Sequence, residues 1–69
     1  MIEIFKTNVE SADDACTIVQ KLLAHFPGSR INFDLQDCDK ILRVEGKTFS
    51  VDQVMMLVCQ NGFHCEILN

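Results

Sequence analysis

Hydrophobic and polar positions alternate in distinct ways along the first part of the 69-residue chain. Residues 2–8 alternate weakly and are rich in Ile and Phe, which is typical of a β-strand. Residues 12–26 place apolar side chains at spacings of three and four, which predicts an amphipathic helix. Ser11 with Asp14 favours a capped start of that helix, and Pro27-Gly28 favours its end. The predicted apolar stripe consists of Ala12, Ala15, Val19, Leu22 and Phe26, flanked by Ile18 and Leu23.

The middle of the chain predicts a β-hairpin. Residues 31–35 alternate apolar and polar side chains, as in a half-buried strand. The polar segment 37–40 follows as a turn, and residues 41–45 form a second strand whose Leu42 and Val44 should face inward. Because the connection is short, we expect the two strands to pair antiparallel.

The last third repeats the change from helix to strand. Ser50 with Gln53 predicts the start of a second helix, and Asn61-Gly62 predicts its left-handed end. Residues 63–68 then predict a final strand. The apolar stripe of the second helix consists of Val51, Val54, Met55 and Val58, with Met55-Met56 expected in the core, and one face of the strand carries Phe63, Cys65 and Ile67.

The element order is therefore strand, helix, strand, strand, helix, strand, within a chain that has room for one core. Right-handed crossovers favour an α+β fold, the ferredoxin-like βαββαβ sandwich, with a four-stranded antiparallel sheet and two helices on one face. We expect residues 1–69 to form a single domain in which strands 1 and 3 are central and strands 2 and 4 are edges.

Composition limits the possible partners. Ten acidic against six basic residues give a net charge of −4, which disfavours nucleic acid because phosphates require clustered Lys and Arg. No apolar run approaches the ~18 residues of a membrane span. An acidic domain of this kind is suited to a basic protein surface or a cation.

The four cysteines, in a chain whose N-terminus shows no secretory signal, indicate a cytoplasmic protein with reduced thiols. Cys59 and Cys65 fall on or near apolar stripes, so we expect both to be buried. Cys16 borders the first helix stripe and should be partly buried. Cys38 lies in a polar turn and should be exposed.

Three segments carry a resemblance to a known family: residues 18–23, 31–35 and 58–63. Together with the element order, they resemble the heavy-metal-associated domain of copper chaperones and P-type metal ATPases. That family binds metal through Met-x-Cys-x-x-Cys in the first loop. The alignment of the first helix places Glu10 at the methionine and Ala12 and Ala15 at the two cysteines, so the resemblance implies a scaffold without its metal pair.

The predicted fold brings the loops after strand 1, strand 2 and helix 2 to one end of the molecule. We expect an interaction face there, formed by Glu10, Asp13, Asp14, Asp37 and Asp39. The alternative is a non-standard metal site drawn from Cys16, Cys38, His64 and Asp13. The opposite end should gather His25, Arg30 and Lys47.

No Ser, Cys, His or carboxylate constellation predicts catalysis, and no motif predicts a cofactor. An acylphosphatase-like enzyme would need an arginine in the first loop, and residues 7–16 contain no basic side chain. The sequence thus favours a non-enzymatic interaction or regulatory module. Its partner would be a protein with a basic surface, or a second copy that meets the sheet face away from the helices or an edge strand. A metal-binding protein is the alternative.

Overall fold

The computed structural model describes residues 1–68 and contains six elements in one sheet and two helices. In chain order they are β1 (Ile2–Thr7), α1 (Ala12–His25), β2 (Arg30–Asp34), β3 (Ile41–Glu45), α2 (Val51–Gln60) and β4 (Cys65–Ile67). The strands lie in the order β2-β3-β1-β4, and each neighbouring pair is antiparallel. The predicted ferredoxin-like arrangement, with β1 and β3 central, is confirmed.

Helix α1 begins at its predicted cap. The Ser11 hydroxyl oxygen accepts a hydrogen bond from the Asp14 N–H at 3.1 Å, which satisfies one free donor of the first turn. The buried side of the helix is formed by Ala15, Ile18 and Leu22. The predicted stripe was therefore wrong at two positions, because Ala12 is exposed and Ile18, expected at the flank, is central to the core.

The turn between β2 and β3 is held by its own polar groups. The Asp37 carboxylate accepts a hydrogen bond from the Asp39 N–H at 2.8 Å, and the Lys40 ammonium donates to the Leu35 carbonyl at 2.9 Å. Lys40 adopts the left-handed region with φ +46°. The predicted hairpin is confirmed, although β2 ends at Asp34 and leaves Leu35 in the turn.

Helix α2 also has both predicted ends. The Ser50 hydroxyl oxygen accepts from the Gln53 N–H at 3.2 Å. At the other end, Gly62 has φ +90°, and its N–H and that of the next residue, Phe63, donate to the carbonyls of Cys59 and Val58. This pair of bonds is a Schellman motif. The buried residues of the helix are Val54, Leu57 and Val58, with Met55 packed at the edge of the core.

Met56 was expected in the core, and this expectation was wrong: the side chain is 57% exposed. The reason is helical geometry, since a stripe through Val54, Leu57 and Val58 puts position 56 on the solvent side.

Strand β4 is shorter than the predicted 63–68. It begins at Cys65 because the His64 N–H donates to the Asn8 side chain at 2.7 Å instead of joining the sheet. Cys65 is buried as predicted, and Phe63 is half-buried. Ile67 faces the same side of the sheet but is 39% exposed, because β4 is an edge strand.

The core lies between the helices and one face of the sheet. Phe5, Leu42 and Val44 are fully buried there, and Leu22, Val54 and Val58 close over them from the helices. Within residues 1–68, neither helix combines the length and the hydropathy required to cross a bilayer.

Candidate functional site

Three loops meet at one end of the sheet, which we call the loop end: residues 8–11, 35–40 and 61–64. Thr7 joins the first two, because its N–H donates to the Asp39 carbonyl at 3.0 Å and its hydroxyl donates to the Lys40 carbonyl at 2.6 Å. The same hydroxyl oxygen accepts from the Val9 N–H at 3.2 Å. Asn8 joins the third loop through its bond from the His64 N–H. The backbone of the loop end is thus tied together.

The β2–β3 turn brings together three of the predicted site residues. Ligand atoms of Asp37, Cys38 and Asp39 all lie within 4.8 Å of one another. Asp37 and Cys38 are exposed, as was expected for the Cys38 thiol. The Lys6 ammonium lies 3.7 Å from the Asp39 carboxylate, so one of the two negative charges has a cationic neighbour.

This turn lacks the ligand set of a structural metal centre. Structural zinc sites use four Cys or His ligands in a tetrahedron, and soft metals need several thiolates. The turn offers two carboxylates and one thiol from consecutive residues, of which Asp37 and Cys38 are exposed and Asp39 is half-buried. No other three His, Cys, Asp or Glu side chains among residues 1–68 come this close, so Asp13, Cys16 and His64 do not join it.

The remaining predicted acidic residues lie in the first loop and the first turn of α1. Glu10, Asp13 and Asp14 are all exposed. Asp13 and Asp14 lie at the N-terminus of α1, where the partial positive charge of the helix dipole stabilises carboxylates. These positions explain the acidic residues structurally and leave their charges accessible to a partner.

Two cysteines differ from expectation. Cys16 was expected to be partly buried and Cys59 buried, and both are exposed. Each lies one residue beyond a buried position, Ala15 and Val58, and a helix turns by about 100° per residue. Cys16 faces solvent, where its sulfur accepts a hydrogen bond from the Gln20 amide at 3.6 Å.

Cys65 is the one buried thiol among the described residues. Burial raises its pKa from 9.0 to about 12, and the neighbouring Cys59 and Glu66 add to the rise. The Cys65 thiol therefore stays protonated, and it packs as a small apolar side chain instead of acting as a nucleophile or metal ligand.

His64 is exposed, and its Nε2 lies 3.1 Å from the Glu66 carboxylate. The pair lies on the outer side of the β4 edge. The two groups form an ion pair only when His64 is protonated, and a surface contact of this kind contributes at most about 1 kcal/mol. Among residues 1–68, His64 belongs to no group of three or more potential metal ligands, so no cluster supports its expected role as a ligand.

The positions that the resemblance assigns to metal ligands carry no donor atoms. Ala12 is exposed at the start of α1, and Ala15 is 6% exposed and packs into the core. The two lie three residues apart in the first helical turn, on neighbouring positions of the helix surface.

The three basic residues expected at the other end of the molecule line two different surface features. Arg30 and Lys47 line a common surface depression of about 440 Å³ beside Met1 and Glu45. His25 instead lines a groove of about 240 Å³ between the end of α1 and the exposed side of α2, next to Phe26 and Met56.

Sequence reasoning missed Thr7 and Lys6. Thr7 is 5% exposed and connects β1 to the β2–β3 turn, while Lys6 pairs with Asp39 across the same junction. Both roles depend on how the β2–β3 turn folds against the end of β1, which hydrophobic periodicity does not encode. A threonine at a core-facing strand position was the available signal, because a buried hydroxyl requires a partner.

Neither a protein-family model nor a curated protein sequence matches this chain.

Proposed function

We propose that this chain is a non-enzymatic protein-interaction module whose acidic loop end binds a basic segment of a partner protein. The supporting observation is that three loops are held together at the end where five carboxylates lie, because Thr7 donates to the β2–β3 turn and the Asn8 side chain accepts from the His64 N–H. The scaffold would be a relative of the heavy-metal-associated domain in which Ala12 and Ala15 replace the metal ligands.

The charge balance at the loop end supports a basic partner. Asp39 is paired with Lys6, and the Lys40 ammonium is engaged by the Leu35 carbonyl. Within the described chain, the other four carboxylates have no ion-pair partner: Glu10, Asp13, Asp14 and Asp37. Unpaired surface charges of one sign accelerate encounter with the opposite sign and make binding sensitive to salt.

The fixed backbone of the loop end also favours binding. A partner that meets pre-ordered loops loses less conformational entropy than one that has to order them. The Thr7 bonds to the β2–β3 turn and the Asn8 bond to the third loop supply that order.

The test measures binding of a fluorescent oligo-lysine peptide by anisotropy, with an oligo-glutamate peptide for comparison. A loop-end variant combines Glu10→Gln, Asp13→Asn, Asp14→Asn and Asp37→Asn. A matched control makes the same change in net charge away from the loop end, through Glu3→Gln, Glu45→Gln, Asp52→Asn and Gln53→Lys.

We expect the loop-end variant to weaken oligo-lysine binding by tenfold or more, and the control by about threefold or less, since distant charges are screened beyond ~10 Å at 0.1 M salt. Equal losses in the two variants would mean that net charge alone drives binding. That result, or no binding of oligo-lysine by the parent chain, would refute the proposed site.

A further inference from the structure

The face of the sheet opposite the helices, here called the outer sheet face, has an ordered arrangement of side chains. Strand register places them in three rows. The first row contains Arg30, Glu45 and Ile2; the second contains Asn32, Arg43 and Ile4, extended by Leu68 through its N–H bond to the Ile4 carbonyl; the third contains Asp34, Ile41, Lys6 and Glu66. The apolar members cluster on β1 and its neighbours, and Ile2 is 52% exposed.

The outer sheet face is electrically neutral although the chain is acidic. Its cations are Lys6, Arg30 and Arg43, and its anions are Asp34, Glu45 and Glu66. The chain has a net charge of −4, so all of that excess lies on other surfaces. Two copies that approach through this face meet no net repulsion, whereas their acidic surfaces repel one another.

Strand β2 carries opposite charges at equal distances from its centre. Arg30 and Asp34 lie two residues on either side of Asn32 and project from the outer sheet face. Two copies can stack with their outer sheet faces together and a two-fold axis between them. This axis runs perpendicular to the strands and passes over the second row, which contains Asn32, Arg43 and Ile4. It brings Arg30 of each copy opposite Asp34 of the other, which is the reciprocal pairing that a symmetric interface requires.

Within residues 1–68, neither Arg30 nor Asp34 forms an ion pair in its own chain. The same axis stacks Ile4 and Leu68 of one copy on Ile4 and Leu68 of the other. The Arg43 side chains also meet near the axis, where each is already paired with Glu45 of its own chain at 3.1 Å. Sheets stacked this way normally pack about 10 Å apart with their strands offset by about 30°.

We propose that the outer sheet face is a self-complementary surface on which a second copy of this chain docks with two-fold symmetry. The sheet is four strands wide, with strands of about six residues or fewer. The spacing between strands and the rise per residue give the sheet a flat area of roughly 300–350 Å² per copy, without the extra surface of the side chains. The two copies together would bury roughly 600–700 Å², less than the ~1,000 Å² of a stable specific interface, so the proposed dimer is weak and transient, with a dissociation constant in the high micromolar range or above.

The experiment is sedimentation equilibrium from about 1 µM to about 1 mM, a range that covers weak dimers. Two charge reversals, Arg30→Asp and Asp34→Arg, are measured alone and mixed in equal amounts. In either variant alone, like charges face each other twice across the axis. In the mixture, a heterodimer of the two variants restores both attractive pairs.

We expect each reversal alone to raise the dissociation constant by roughly tenfold or more, because like-charge contacts at an interface are strongly unfavourable. The mixture should associate at least as tightly as the parent chain. The control reversals Lys21→Glu and Glu10→Arg lie off the outer sheet face and should change dimerisation by less than about threefold. Circular dichroism confirms that each variant is folded.

A parent chain that stays monomeric throughout the range would overturn the proposal. So would a dimer that ignores both reversals, or a mixture that associates no better than either variant alone. The oligo-lysine experiment changes loop-end carboxylates and measures peptide binding, whereas this one reverses Arg30 and Asp34 and measures self-association, so failure of one proposal is distinguishable from failure of the other.

Discussion

Replacement of Gly62 by alanine should destabilise the chain through the backbone alone. Gly62 has φ +90°, and an added Cβ would meet no atom within 4 Å. The space is open, so a steric clash with neighbouring residues does not contribute. What remains is the cost of holding an L-residue in the left-handed region at the end of α2.

That cost is roughly 1–2 kcal/mol per residue. Alanine also restricts the unfolded chain, which offsets the loss by ~0.4–1 kcal/mol. We therefore expect Gly62→Ala to lower the free energy of unfolding by about 1 kcal/mol, and Gly62→Val by somewhat more because its branched side chain tolerates positive φ poorly. In a domain of this size, 1 kcal/mol corresponds to a shift of roughly 4–8 °C in Tm.

Urea denaturation followed by circular dichroism measures the difference, with Gly62→Asn and D-alanine at position 62 as controls. Asparagine tolerates the left-handed region and should lose less than alanine. D-alanine, introduced by chemical synthesis of the chain, prefers positive φ and should be at least as stable as glycine. If L-alanine and D-alanine gave equal stability, the Schellman motif at this helix end would be refuted.

The other predictions concern the cysteines and the two alanines. The double variant Ala12→Cys, Ala15→Cys should bind Cu(I) more tightly than the parent chain in anaerobic titration, since two thiols then lie within one turn of α1. Equal affinities would contradict the alignment to the heavy-metal-associated domain. A stoichiometric Cu(I) complex of the parent chain would favour the metal-binding alternative. Iodoacetamide should modify Cys16, Cys38 and Cys59 in the native chain but Cys65 only after unfolding; native labelling of all four would refute its burial. The pKa of Cys65 rises from 9.0 to about 12 on folding, so the thiol loses its proton at lower pH in the unfolded chain than in the folded one. The free energy of unfolding should therefore fall above pH 9 by up to about 1.4 kcal/mol per pH unit. Cys65→Ala should remove this contribution to the pH dependence.

Periodicity was sufficient to predict the elements because each one has a single buried side. The helix caps at Ser11 and Ser50 form as expected, and so does the glycine end of α2. The errors concern side chains next to a stripe. The residue types of Cys16, Cys59 and Met56 would each fit an apolar stripe. These side chains face solvent because of how each helix is rotated about its axis where it packs on the sheet.

The loop end was predictable in position but not in detail. Element order places the three loops at one end of a ferredoxin-like sheet. The hydrogen bonds of Thr7 and Asn8 show that the loops do meet there. Which side chains come within bonding distance depends on loop conformation, such as the left-handed Lys40. His64 illustrates this limit: its N–H bonds to Asn8, which shortens β4, and its ring pairs with Glu66 instead of a thiol.

The two proposed surfaces are compatible in one molecule, because the proposed axis determines where the loop ends would lie. An axis across the strands reverses the strand direction of the second copy, so its loop end lies at the opposite end of the dimer. The two acidic loop ends would then be separated by a distance comparable with the 24–27 Å longer dimensions of one copy. Neither would be covered by the interface, and their charges would be screened from each other at physiological salt, where the Debye length is ≈ 8 Å.

A partner with two basic segments could engage both ends at once, so that weak contact at each end becomes tighter binding through effective concentration. A weak dimer would in this way make the affinity for such a partner depend on the concentration of the chain itself.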